Sequence, residues 1–262
     1  MSLAALILPF ALMQASGPVG NPTPAQEAVQ SHRESQQSTP PIHSPLQVPP
    51  SHTASLSVGN AEGEAHFRSC VAMIDHDPNA AYEDGMAWSA LRHDVGGFRC
   101  AAMALIAENR AEEGAQRLQA LAAGISPDAV GLRVDLMSQA GNAWLMAREP
   151  ASARSILTMA ITTMQSDPSQ LPDLLVDRAR AYAMEGDYRH AEEDLSHALD
   201  IRPRDALALR LRASARMHQN AFELAQGDAQ AAVNLEPTNV DALLMLGHTR
   251  EAIRTGHPVE EQ

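Results

Sequence analysis

Residues 173–205 read DLLVDRARAYAMEGDYRHAEEDLSHALDIRPRD, and the spacing of small and apolar residues in this stretch decides the fold. Leu175, Ala179 and Tyr182 fall at i, i+4 and i+7, which places them on one face of a helix. Ala191, Leu195 and Ala198 repeat the same spacing further on. Between the two sets, Glu185-Gly186-Asp187-Tyr188 breaks the period with turn-forming residues. Pro203 ends the second helix, because it has no amide hydrogen and disfavours helical geometry in the residue before it. Ala179 and Ala191 are small where the two axes must approach; a bulky side chain there would wedge the helices apart.

The pattern repeats. Leu175, Ala179, Ala191, Ala198 and Pro203 recur 34 positions on as Leu209, Ala213, Ala225, Ala232 and Pro237, and a third copy opens with Leu243 and Gly247. Upstream, Gly141, Trp144, Ala153, Leu157 and Ala160 each stand 38 residues before a counterpart, so that unit carries extra loop around Ser166–Leu171. A fixed period of this size marks stacked helical pairs. At Leu175, Ala179, Tyr182, Ala191, Leu195, Ala198 and Pro203 the chain resembles the tetratricopeptide-repeat family, whose signature positions these residues occupy in order. The next unit departs from that signature with Arg216 in place of Tyr182 and Ala229 in place of Leu195. Earlier in the chain the match fades. Gly97–Gly124 reads as another helical pair with Ala115 and Pro127 roughly in phase, and 65–91 as a first pair.

The resemblance implies an all-α fold: a right-handed superhelical array of antiparallel helix pairs, an α-solenoid, behind a disordered N-terminal segment. The expected organisation is degenerate helical repeats over 63–133, units over 134–171, 172–205 and 206–239, and a capping helix over 240–255. A lone terminal helix covers the apolar face of the last full repeat, with Leu243, Leu246 and Gly247 facing inward.

Nine of the 17 prolines lie in the first 50 residues. Residues 3–13 are one apolar run, too short to span a bilayer and suited to the core of a signal peptide over 1–16. No lysine or arginine precedes the run, which departs from the usual secretory signal. Residues 17–62 are rich in Pro, Ser and Gln without periodicity and read as a disordered linker, because they bury too little apolar surface to offset ordering entropy. His32, His43 and His52 within it are incidental rather than metal ligands. The expected location is periplasmic or secreted, with the cytoplasm as the alternative, and the mature chain does not insert in a membrane.

Net charge is −13 and all 19 basic residues are arginine, a balance that repels phosphate backbones and argues against nucleic-acid partners. No nucleophile, metal or phosphate-binding motif is present, so the expectation is a non-enzyme with no cofactor and no metal. Asp75, His76 and Asp77 ahead of Pro78 read as helix terminators and caps. His190 and His197, two turns apart, read as solvated, and Trp88 and Trp144 as core. Cys70 and Cys100 lie 30 residues apart, close to one period. They are either a disulfide, which export would permit, or two buried thiols.

Two further residues recur in step. Arg178 and Asp194 return as Arg212 and Asp228, whereas the 134–171 unit has Ala140 and Ile156 at the two places. Joint presence and joint absence predict two structural ion pairs, each joining the first helix of a unit to the second, since a half-buried charge without a partner is costly. The resemblance further implies a concave face lined by first helices. Carried onto this chain, that face holds Ser138, Asn142, Arg180, Arg210, Ser214, His218 and His248. Some family members clamp a C-terminal carboxylate there; Asn142 and Arg180 echo the clamp, and the rest of its set is missing. The function implied is a non-catalytic scaffold for a protein or peptide. The alternatives are a permanent accessory subunit of an envelope complex and, least favoured, a hydrolase or transferase using 65–133.

Overall fold

The computed structural model describes residues 61–164 and 168–259, which hold eleven α-helices and one 3-10 turn. The expected signal peptide, all but the end of the expected linker, and His32, His43 and His52 lie outside the described residues. In chain order the helices are α1 Ala61–Ile74, α2 Pro78–Arg92, α3 Val95–Ala107, α4 Ala111–Gly124, α5 Val130–Met146 and α6 Pro150–Thr163. They continue as α7 Leu171–Met184, α8 Tyr188–Ile201, α9 Ala206–His218, α10 Phe222–Leu235 and α11 Val240–Thr255.

Every helix packs on its successor. First helices α5, α7, α9 and α11 also touch one another in turn, whereas the second helices α6, α8 and α10 make no contact of similar extent. The array therefore bends toward the first helices, and their outward stripe forms the inner, concave face.

The seam between paired helices is built from small residues. Ala179 and Ala191 share one buried cluster, Ala213 and Ala225 the next, and all four are almost fully buried. In the preceding unit Gly141 takes the same place, and a Cβ there would come within 2.6 Å of the Leu157 side chain. Leu157 has thus taken the space that a larger residue would need, which is the dense interdigitation expected of a protein interior. At the N-terminal end α2 and α3 cross still more closely. A Cβ on Gly85 would sit 2.6 Å from the Gly97 carbonyl oxygen, and one on Gly97 equally close to that of Gly85.

Four turns share one backbone device. Asn109, Arg148, Gly186 and Asn220 each have a left-handed φ of 59 to 79° at the end of α3, α5, α7 and α9. In each, the next amide reaches back to the last helical turn: Arg110 to Leu105, Glu149 to Trp144, Asp187 to Tyr182 and Ala221 to Arg216. This six-to-one bond satisfies a carbonyl that the helix end would leave orphaned. The pair α3–α4 has this turn although its sequence match is faint, so repeat geometry extends back to Val95.

Upstream of that pair, α2 begins with Asp77 accepting from the Ala80 amide. A disulfide between Cys70 and Cys100 ties α1 to α3, with Cα atoms 6.3 Å apart. Closing a loop of 30 residues restricts the unfolded chain and contributes about 3–4 kcal/mol. Two boundaries differ from the sequence reading: α5 begins at Val130, ahead of 134, and α1 begins at Ala61, inside the expected linker. Repeat phase fixes where helices must touch and leaves their first turns free. Pro168–Gln170 forms a 3-10 turn in the longer connection before α7.

Only one of these four left-handed positions carries glycine. An L side chain there costs on the order of 1 kcal/mol. Arg148→Gly is expected to raise stability by about that amount, and Gly186→Ala to lower it similarly. Urea unfolding of the two variants beside the unaltered protein checks both signs.

Candidate functional site

The inner face is a set of stripes, one per first helix. On α7 Asp173, Asp177, Arg180 and Met184 share the i, i+4, i+7, i+11 line, and on α9 Leu207, Leu211, Ser214 and His218 do so. Asp135, Ser138 and Asn142 continue it on α5, and Asp241, Met245 and His248 on α11.

Toward the N-terminus these groups bond one another. Arg99 donates to Gln139 at 2.9 Å, and Gln170 to Asp135 at 2.7 Å. Asn142 donates to Asp177 at 2.5 Å, while Arg180 donates to the Asn142 oxygen and to Asp177, both at 3.2 Å. Burial pushes the Asp177 carboxyl above the ordinary carboxylate range, against the opposing pull of Asn142 and Arg180. Asn142 also donates to the Ser138 carbonyl, so both ends of its amide are engaged.

Exposed apolar side chains also lie along the face, starting with Met146 at the end of α5, 63% exposed. Met184 and Leu207 are each 45% exposed and Leu244 54%. Arg210 is paired with Asp241 at 3.2 Å. Past it lies a recess of about 540 Å³ walled by Ser214, Met217 and His218 of α9, Met245 and His248 of α11, and Pro258 and Val259. The His218 ring is stacked on Tyr188, with centroids 4.1 Å apart. Of the seven residues assigned to the groove, the structure brings Asn142 and Arg180 into one network and Ser214, His218 and His248 into one recess. Ser138 touches the first only through its carbonyl, which accepts from Asn142, and Arg210 stands apart from both.

A second polar system lies between the helices. Arg178 donates to both oxygens of Asp194, at 2.8 and 2.7 Å, and to the Thr158 hydroxyl at 3.3 Å. One repeat on, Arg212 does the same to Asp228, at 2.9 and 2.7 Å, and to Ser196 at 3.2 Å. Each arginine thereby joins its own second helix to that of the preceding unit. Bidentate geometry satisfies the buried carboxylate and much of the guanidinium. Arg216, standing where Tyr182 stood, adds bonds to Asp228 at 2.7 Å and Glu192 at 2.8 Å. These clamps hold the scaffold and offer no reacting atom.

Sequence reasoning missed Asp177, Leu207, Met245, Thr158 and Ser196. Thr158 and Ser196 stand 38 residues apart, the same interval as the other matches between their units, and that was their available signal. Of the two histidines read as solvated, His197 is exposed, whereas His190 bonds Asp187 at 2.5 Å and stacks on Tyr182, with ring centroids 5.1 Å apart. Trp144 donates its indole N–H to Gln119 at 3.2 Å. In the 63–133 region the cleft beside Glu64, Asp94 and Arg99 measures about 60 Å³, and Asp94 is occupied in capping α3 through the Gly96 amide. Among the described residues no group of three or more His, Cys, Asp or Glu side chains is placed to hold a metal ion. Among those residues, too, no helix is long and apolar enough to cross a membrane.

No family model and no curated protein matches the sequence. Solved structures do match. TTC0263, a tetratricopeptide-repeat protein of Thermus thermophilus, is 16% identical with a TM-score of 0.52, covering 72% of this chain and 99% of its own. YrrB, a tetratricopeptide-repeat protein with an unusual peptide-binding site, is 14% identical at the same TM-score, over 70% of this chain and 93% of its own. The first such domain of Spaghetti (RPAP3), bound to the HSP90 peptide SRMEEVD, is 24% identical over 47% of this chain and 94% of its own, with a TM-score of 0.43. The described array has the tetratricopeptide-repeat fold, as TTC0263 and YrrB do.

Asp228 answers two arginines and Asp194 one. Asp228→Ala is expected to cost about 3 kcal/mol by stranding both charges, and Asp194→Ala about 2 kcal/mol. Equal losses on denaturant unfolding would contradict this ordering. Asp177 supplies a pH signature. Its folded form holds the proton to higher pH than the unfolded chain does, so its ionisation opposes folding. That contribution to stability is present at low pH and is lost as pH rises from the ordinary aspartate range through the raised value. Asp177→Asn cannot ionise, so its stability should gain on the unaltered protein over that rise. Unfolding curves at a series of pH values measure the difference.

Proposed function

We propose that the array is a non-catalytic peptide-binding scaffold whose ligand lies over the C-terminal half of the inner face, from Met184 to His248. One observation carries this reading. Upstream, the inner polar groups are spent on each other, whereas downstream Met184, Leu207 and Leu244 are exposed and Ser214, His218 and His248 wall an open recess. Exposed apolar surface beside a few convergent polar groups is the usual composition of a binding site. The ligand this suits is a peptide with bulky apolar side chains, its backbone reached by Ser214, His218 or His248. Tyr188 supports the assignment by fixing the His218 ring. Among proteins of the same fold, YrrB is described by a peptide-binding site of its own.

We also infer that the protein is exported to the bacterial envelope. The apolar run over residues 3–13 supports this, as does the Cys70–Cys100 disulfide, which persists in oxidising compartments. Cell fractionation with mass measurement of the mature chain tests it; a full-length protein confined to the cytosol would refute it.

Panning a random peptide library on the purified protein tests the groove. Selected peptides should be rich in apolar residues, and Leu207→Asp should weaken their binding roughly tenfold or more, the scale of a lost apolar anchor. Asn142→Ala, in the self-satisfied half, should change binding little. Peptides indifferent to Leu207→Asp would move the site elsewhere.

A further inference from the structure

Three side chains on the inner face belong together by the register of the repeats. After the 38- and 34-residue steps between units, Ser214 stands where Asn142 stands, and Met245 and His248 where Asp177 and Arg180 stand. α9 and α11 touch as α5 and α7 do. In the earlier pair those three positions converge: Asn142 bonds Asp177 at 2.5 Å and Arg180 at 3.2 Å, and Arg180 bonds Asp177 at 3.2 Å. In the later pair that hydrogen-bonded triad is replaced by a hydroxyl, a thioether and an imidazole, and all three wall the recess together with His218. His218 follows Ser214 by one turn on the same line, and its ring lies flat on Tyr188, with planes 7° apart. Among the described residues neither imidazole has a hydrogen-bonding or charged partner.

We propose that the recess binds a cuprous ion through the imidazoles of His218 and His248 and the thioether sulfur of Met245. Donor chemistry selects the ion. Imidazole nitrogen suits zinc, copper, iron and nickel, and a soft sulfur donor narrows these toward Cu(I) and zinc. Zinc takes its sulfur as the cysteine thiolate, whereas Met245 offers an uncharged thioether, so Cu(I) remains. The charge balance agrees. All three donors are neutral, which suits a monovalent cation, and the carboxylate next along α11, Asp241, is engaged by Arg210 at 3.2 Å. Met217, 5% exposed, lines the wall beside the donors, and an apolar flank of this kind limits solvent access to a bound metal. The Tyr188 stack holds one ring in place beforehand, so less ordering is left to binding. No motif announces the set in the sequence, where the expectation was of no metal. His218 comes from one unit and the Met245–His248 pair from the next, and their meeting depends on how α11 lies on α9.

Anaerobic titration of the purified full chain with Cu(I), against the chromophoric competitor bicinchoninate, tests this site with no peptide present, so its outcome is separate from that of the groove. One ion per chain is expected to resist the competitor, with sulfur and nitrogen neighbours in its X-ray absorption spectrum. Met245→Leu keeps the apolar volume and His248→Ala removes one imidazole. Each should weaken retention of the ion at least about tenfold, while circular dichroism stays that of the unaltered protein. His218→Ala, at an exposed position, gives the same readout should either of the others disturb the fold. Surrender of all copper to the competitor overturns the proposal. So does Zn(II) held as tightly as Cu(I), which would contradict the choice of ion. Retained copper that is indifferent to these substitutions overturns it as well, by placing the ion on other histidines or methionines of the chain.

Discussion

Everything in this molecule depends on how closely two helix axes can come together. At Gly141, Ala179 and Ala213 the first helix of a unit offers almost no side chain, and the second helix answers with Ala153, Ala191 and Ala225. That approach lets Leu157 and Leu195 reach across and fill the gap. Packing at native density follows from it, and so does the stacking of one pair on the next, because each buried cluster mixes residues of neighbouring units. Aromatic residues are only 3% of the chain, so the core is made by proximity rather than by bulk. A solenoid held in this way has nearest-neighbour contacts almost exclusively, and its stability is local.

The arginine clamps act within that constraint. Where a unit carries Arg178 or Arg212 in place of an apolar residue, the buried aspartate and a hydroxyl from the preceding second helix turn a desolvated charge into a cross-link. The polar links on the inner face have a different consequence. They consume the hydrogen-bonding capacity of α5 and the first turns of α7, so the open surface is displaced toward α9 and α11.

The helices, their order and the seam were legible because periodic small residues leave a strong signal in one dimension. Ala179, Ala191 and Pro203 announce a unit wherever they recur. The turns were less legible: three of the four left-handed positions carry Asn109, Arg148 and Asn220 in place of glycine, so the shared geometry of α3–α4 was hidden. The Arg–Asp pairs could be read from joint recurrence, but their third partners, Thr158 and Ser196, sit on a neighbouring unit whose register depends on the stacking. The candidate site was the least legible part. Asn142 and Arg180 resemble ligand-binding groups in sequence, yet they are 38 residues apart and in space bond each other and Asp177. Whether a polar residue faces a ligand or a neighbour is decided by proximity between helices, which no local pattern records.

The central claim is that the small-residue seam sustains the array unit by unit. Hydrogen–deuterium exchange on Ala213→Leu tests it most directly, because the added bulk acts on the α9–α10 seam alone. Exchange should accelerate in α9, α10 and α11 and fade through α7 and α8, leaving α3 to α6 protected as in the unaltered protein. Uniform acceleration across all helices, or none in α9 and α10, would contradict the account.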